Sequence, residues 1–277
     1  MKKNVMGVVM VLLLLSGQSA FAAIRYEYFQ TSRAEGDEHS SDLNARAVLD
    51  GPRSRVEFIS GNTYPPGTYM ISTDGARRLL FVDPTQKLYT EVNTLGIASA
   101  IGTSNIAISN LKSSVTRLAD SQVIAGIPAD HYRLTMTYDI TIVFRNMPLK
   151  QSVRTNIDQW TTVRFGDVGD AAFASGIQTG NPKVDEVITA ETTKIKGFPL
   201  RQVVQVTTIN NTGQATGTKL VVPATRTKTR EMTVTSVAEM KADDAMFAVP
   251  AGYQHTDYRD MITKSQTQVL SSTSSTQ

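Results

Sequence analysis

The chain has no cysteine, three histidines and one tryptophan in 277 residues. Without cysteine there is no disulfide, no thiolate-bound zinc or iron–sulfur site, no thiol nucleophile and no acylated lipoprotein anchor. Three histidines leave little for a metal centre. Long apolar runs are scarce too. The run from Val8 to Leu15 is too short to be a permanent membrane helix, which needs about 20 apolar residues, and no second run of membrane length follows. A strong charge of either sign is missing, with a formal net charge of +3. The 40% hydrophobic content is enough to build a buried core and excludes wholesale disorder.

Residues 1–22 read as a secretory signal peptide. Lys2 and Lys3 form a positive start, Val8 to Leu15 the apolar stretch, and Ala20-Phe21-Ala22 a small–x–small cleavage pattern. Cleavage after Ala22 shortens the chain from 277 to 255 residues and lowers the charge from +3 to +1. The expected location is therefore the periplasm or the outside of the cell. A near-neutral mature chain argues against a nucleic-acid partner. One basic stretch remains, Lys219 to Arg230, with Arg226, Lys228 and Arg230 at alternate positions that share one face of a strand. It serves either as a docking strip for an anionic lipid or protein, or as a solvated outer face or charged edge strand.

Period-two alternation dominates. Tyr26 and Tyr28 alternate with Arg25 and Glu27. Val56 and Phe58 alternate with Arg55 and Glu57. Tyr132, Leu134, Met136 and Tyr138 alternate with His131, Arg133, Thr135 and Thr137. Leu200, Val204 and Val206, and then Met232 and Val234, continue the pattern. Such runs bury one face and wet the other, as antiparallel strands do. Turn chemistry links them: Asp50-Gly51-Pro52, Asp74-Gly75, the type I signature Asp83-Pro84-Thr85-Gln86, and Asn210-Asn211-Thr212-Gly213. The expectation is an antiparallel meander.

Three segments depart from that pattern. Leu95, Ala98 and Ile101, followed by Ile106, Ile108 and Leu111, predict a helical segment over 93–112, with Gly96 and Gly102 as flexible points. Pro182 to Thr192 reads as a helix, with proline in its first turn and Asp185 and Glu186 near its N-terminus. Asp243 to Ala248 reads as a short helical turn ended by Pro250. No linker divides the chain, so residues 23–255 are expected to form one domain, followed by a polar, disordered tail at 256–277.

Several motifs in order resemble a known group. They are Val48 to Glu57 around Asp50-Gly51-Pro52, Met70 to Gly75 followed by Leu79 to Tyr89, and Ile124 to Tyr132. Gly197-Phe198-Pro199-Leu200-Arg201 and Asp244 to Tyr253 complete the series. Together they resemble an uncharacterised family of secreted bacterial proteins, a domain of unknown function that shares the fold of the outer-membrane lipoprotein carriers LolA and LolB. The resemblance implies a mainly β (α+β) fold: a strongly curved antiparallel sheet forming an unclosed barrel, with helices covering its open side. It also implies periplasmic residence, a place in outer-membrane biogenesis and a hydrophobic cavity. No residue matches a carrier's functional residue, and Gly166 to Asn181 looks like an insertion.

No catalytic constellation stands out. His39 among Glu35, Asp37, Glu38 and Asp42 matches no metal-loop spacing and reads as a solvated turn. His131 lies on the polar face of its strand and is expected at the surface, and His255 falls near the disordered end. Trp160 sits out of phase with Ile157 and serves either a mouth or interface role or packing under a loop. The informative set is apolar. On a curled sheet the concave face would hold Tyr26, Tyr28, Val56, Phe58, Tyr132, Leu134, Met136, Tyr138, Val204 and Val206. Leu95, Ile101, Ile106 and Leu111 of the helical segment would cover them. Tyr26, Tyr28, Phe58, Tyr132, Leu134, Met136, Leu95, Ile101 and Leu111 are thus candidate ligand-binding residues. Whether this face packs solid or encloses a pocket stays open. The functional expectation is a non-enzymatic periplasmic binding protein or chaperone for a lipid, acyl chain or lipidated protein, without metal or cofactor. The alternative is an envelope interaction module with a solid core and a protein partner.

Overall fold

The computed structural model describes residues 23–37, 40–75, 77–93, 106–144, 147–166, 182–210 and 225–257. The described strands are β1 (Ala23–Ala34), β2 (Ser41–Asp50), β3 (Arg53–Gly61), β4 (Tyr69–Ser72), β5 (Arg78–Asp83) and β6 (Leu88–Asn93), followed by β7 (Ile106–Ile124), β8 (Ile127–Phe144), β9 (Met147–Thr162), β10 (Phe198–Asn210), β11 (Thr225–Met240) and β12 (Gln254–His255). Among the described residues one α-helix, α1 (Pro182–Thr192), stands where the first-turn proline and acids predict it. The Asp244–Phe247 segment forms a 3-10 turn, capped by the Asp243 carboxylate accepting from the Ala245 N–H.

All twelve strands belong to one sheet in the order β12-β6-β5-β4-β3-β2-β1-β11-β10-β9-β8-β7. Two meanders, β1–β6 and β7–β11, are joined where β1 pairs antiparallel with β11. Only β12 runs parallel to its neighbour, β6. The sheet is unclosed, with β12 and β7 at its two edges. Its curvature shows in the aromatic contacts. Tyr26 on β1 and Phe198 on β10 flank β11, so their strands would lie about 10 Å apart in a flat sheet. Their ring centroids are 5.0 Å apart, edge to face. The side chains converge over β11, and this side is the inner face.

Short turns fix the register. Gly51 opens the two-residue β2–β3 turn at φ +56° ahead of Pro52, the pattern of a type II′ hairpin. Ala125 and Gly126 both take positive φ between β7 and β8, as a type I′ turn requires. Asp83 accepts from the Thr85 and Gln86 N–H groups at 2.9 and 3.1 Å, which explains why Asp leads the β5–β6 turn.

The helix expected over 93–112 is corrected in its second half. Residues 94–105, with Leu95 and Ile101, lie outside the described residues. Ile106, Ile108 and Leu111 belong to strand β7. The reason is a partner: Ile106 faces Ile142 and Ile108 faces Ile140 on β8. Paired on β8, these branched residues fit a pleated surface better than a helix.

Candidate functional site

Residues directly opposite on paired strands share a face, so the register maps the inner face row by row. Tyr28 lies opposite Ala45, and Ala45 opposite Phe58. One row along, Tyr132, Gln159, Gln202, Met232, Gln30 and Leu43 stand in line across six strands. Leu134, Ile157 and Val204 form the next row. Tyr28, Phe58, Tyr132, Leu134 and Met136 therefore do lie on one face, as the alternation predicts, and Tyr26 joins Phe198 over it.

The two ends of this face differ. Under β7–β10, Leu134 and Met136 are 1% and 4% exposed and pack with Ile157, Ile188 and Ile195. Ile188 comes from α1 and Ile195 from the turn after it, and Leu111, Val115 and Tyr132 flank the cluster. Helix α1 is also tied to the sheet edge, because Glu191 accepts from the Val115 N–H at 3.0 Å. These sequence-predicted residues are core beneath a helix. Under β1–β5, Leu43, Ala45 and Phe58 are buried, while Tyr28, Val56, Tyr64, Met70 and Phe81 are only half-buried. Phe58 stacks on Tyr64 at 4.2 Å, and Phe81 lies 6.2 Å from Phe58 and 6.0 Å from Tyr64. The alanines Ala45 and Ala47 leave room between the rings of neighbouring strands. Burial raises the Tyr28 phenol to about 12 and drives the Tyr26 phenol further up. Tyr64 and Phe81 were not singled out in the sequence. Tyr64 lies in the β3–β4 loop, where alternation gives no signal, and Phe81 sits in a short apolar strand.

The basic residues of the 219–230 stretch are placed differently from the sequence expectation. Lys219 lies outside the described residues. Strand β11 is central, between β1 and β10, and is not an edge. Arg230, Lys228 and Arg226 face Val204, Val206 and Thr208, on the same side as Leu134 and Ile157. They belong to the inner face, not the outer one.

His131 is likewise corrected. It is 5% exposed, not a surface residue. Its ring stacks on Trp160 at 4.1 Å, on the side opposite Leu134 and Ile157. Nδ1 lies 2.8 Å from Asp120 Oδ2, and Nε2 lies 2.9 Å from Asp158 Oδ1. Carboxylates only accept, so each ring nitrogen that carries a proton finds an acceptor. The hydrogen bond to His131 holds the Asp120 carboxyl below its usual range. The Arg201 guanidinium covers the other contact of Trp160, 4.8 Å from the ring centroid. Trp160 thus packs against His131 of β8 and Arg201 of β10. His39 lies outside the described residues, and His255 sits in β12 edge-on to Tyr89 at 5.3 Å. Among the described residues no cluster of His, Asp or Glu could hold a metal ion.

Two grooves open elsewhere. One, of about 460 Å³, is lined by Arg25, Arg46, Val48, Arg55, Glu57 and Met246. Its arginines are partly engaged: Arg46 pairs with Glu27 at 2.9 Å, and Arg55 lies 3.7 Å over the Tyr69 ring. The other, of about 680 Å³, has a mixed lining that includes Asn110, Asp139, Ser152, Arg154, Tyr138 and Ile209.

The fold is thus an unclosed, strongly curved antiparallel sheet with a helix on its inner face. No family-wide sequence model and no curated protein matches the chain. Solved structures similar to it include a LolA superfamily protein from Nitrosomonas europaea, at 11% identity and TM-score 0.30, covering 83% of this chain and 91% of that one. A putative outer membrane lipoprotein-sorting protein domain from Vibrio parahaemolyticus matches at 10% identity and TM-score 0.31, covering 83% and 90%. A DUF1329 family protein from Desulfovibrio piger matches at 7% identity and TM-score 0.29, covering 83% and 91%. At this level of similarity none of them transfers a residue role or an activity.

Proposed function

We propose that the protein is a non-enzymatic binding protein or chaperone for a lipophilic ligand in the cell envelope, with the inner face as its binding surface. The observation that carries this reading is the half-buried aromatic patch of Tyr28, Tyr64 and Phe81 around Phe58, beyond the apolar cluster that α1 covers. A surface of stacked rings floored by alanines suits aliphatic chains. Each methylene it removes from water contributes about 0.8 kcal/mol. Tyr26, Tyr28 and Phe58 are the binding residues from the sequence set. Tyr132, Leu134, Met136 and Leu111 support the wall under α1, and a ligand reaches Leu134 and Met136 only if α1 moves. Export to the periplasm through cleavage after Ala22 belongs to the same reading, as does one domain over 23–255.

Displacement of a fluorescent fatty acid, together with native mass spectrometry of protein purified from the envelope, tests this. The expected result is bound lipid, saturable probe binding, and loss of that binding in Tyr64→Ala/Phe81→Ala with the urea midpoint little changed. Protein that carries no lipid and binds no probe overturns it. The α1-sealed half favours a second reading, an interaction module with a solid core. Crosslinking in intact cells would then capture a defined envelope partner, and a lone monomer would count against it.

A further inference from the structure

We infer that the ligand of the inner face is an anionic amphiphile, its oxyanion headgroup held by Arg226, Lys228 and Arg230 and its chain laid along the aromatic patch. The inference rests on the proposal that the inner face binds an apolar chain. Strand β11 carries the argument. Its inner-face positions run Arg226, Lys228, Arg230, Met232, Val234, so one strand is basic over one half and apolar over the other. The three cations are exposed, while Met232 is half-buried and Val234 buried.

Among the described residues, none of the three cations has a carboxylate at ion-pair distance. Several arginines elsewhere in the sheet have an acidic or aromatic contact, as Arg201 on β10 has Glu231, Arg46 on β2 has Glu27, and Arg55 on β3 has Tyr69. Three like charges at alternate positions of a central strand repel one another. Successive ones stand about 7 Å apart along one face of the strand, and an anion bound among them would relieve that repulsion. Arg230 is already turned across the sheet: its Nη2 donates to Gln202 Oε1 at 3.3 Å, and Gln202 donates to Gln159 Oε1 at 3.0 Å. Its charge reaches Tyr28, where it opposes the rise that burial imposes on the phenol. The headgroup strip and the aromatic patch are therefore neighbours on one surface. Carboxylate and phosphate share the required chemistry, and a free anion differs from a lipid headgroup only in lacking the chain.

The test titrates the full chain calorimetrically with monomeric octyl phosphate, octyl glucoside and inorganic phosphate. Octyl phosphate should bind more tightly than octyl glucoside and weaken as salt rises. The variant Arg226→Gln/Lys228→Gln/Arg230→Gln should lose about tenfold or more for octyl phosphate and keep its affinity for octyl glucoside. The single reversal Lys228→Glu, at an exposed site, gives the same sign if the triple variant folds poorly. Equal binding of octyl phosphate by wild type and variant overturns the inference and leaves the apolar-face reading standing. Inorganic phosphate competing as well as octyl phosphate overturns it in favour of a free-anion site. Failure of both octyl compounds to bind overturns the apolar-face reading itself, and the inference with it.

Discussion

The two halves of the inner face begin from the same pattern and end differently. Tyr132, Leu134 and Met136 on β8 alternate as Tyr26 and Tyr28 do on β1. On the β7–β10 side, Ile188 and Ile195 descend from α1 and its following turn, and the row beneath is sealed. On the β1–β5 side, aromatic rings pack on one another and remain half-exposed. The difference shows that apolar alternation prepares a surface, and that a covering element decides whether it becomes core or a place to bind.

The sharpest way to break this comparison is to hollow out each half. Leu134→Ala should cost about 2–5 kcal/mol by urea unfolding, because a fully packed site collapses poorly. Phe81→Ala, on the half-buried side, should cost clearly less. Equal losses would erase the distinction. Next in size is a base-side effect. Tyr28 keeps its proton more tightly in the folded state, near 12 against 10.0 unfolded. The stability this contributes is complete below pH 10 and is lost as pH rises from 10 toward 12, by about 2–3 kcal/mol. Tyr28→Phe should flatten that fall in pH-dependent denaturation, and a slope unchanged by the substitution would show the phenol to be solvated. Smaller again is the latch of α1. Glu191→Ala removes the acceptor for the Val115 N–H, which should cost about 1–2 kcal/mol and speed exchange of that amide. Protection unchanged at Val115 would mean that α1 is held by Ile188 and Ile195 alone. Smallest is Arg78→Gln. It breaks the paired contacts to Glu91 at 2.9 and 2.8 Å, but on an exposed strand pair it should barely move the urea midpoint, and any loss should fade with salt.

Much of the architecture was legible in the residues. Period-two runs located β1, β3, β8, β10 and β11, and Asp83-Pro84 and Asp50-Gly51-Pro52 marked turns between neighbours. Pro182 with its acidic first turn located α1. What misled was local spacing without a partner. Ile106, Ile108 and Leu111 fit a helical period until β8 supplies a strand beside them. His131 fell on a polar face by alternation, yet Trp160 and Asp158 on β9 and Asp120 on β7 enclose it.

The chain's own order of residues determined that alternating strands joined by tight turns would form a sheet, because side-chain period and turn chemistry are local properties. It also determined that Arg226, Lys228 and Arg230 would share a face. Which face that is, and that β11 lies in the middle of the sheet, followed only from the pairing of β1 with β11, residues some two hundred positions apart. The same long-range pairing curves the sheet until Tyr26 meets Phe198. Tertiary structure, by joining the two meanders at that seam, turned an apolar stripe and a basic stripe into one surface.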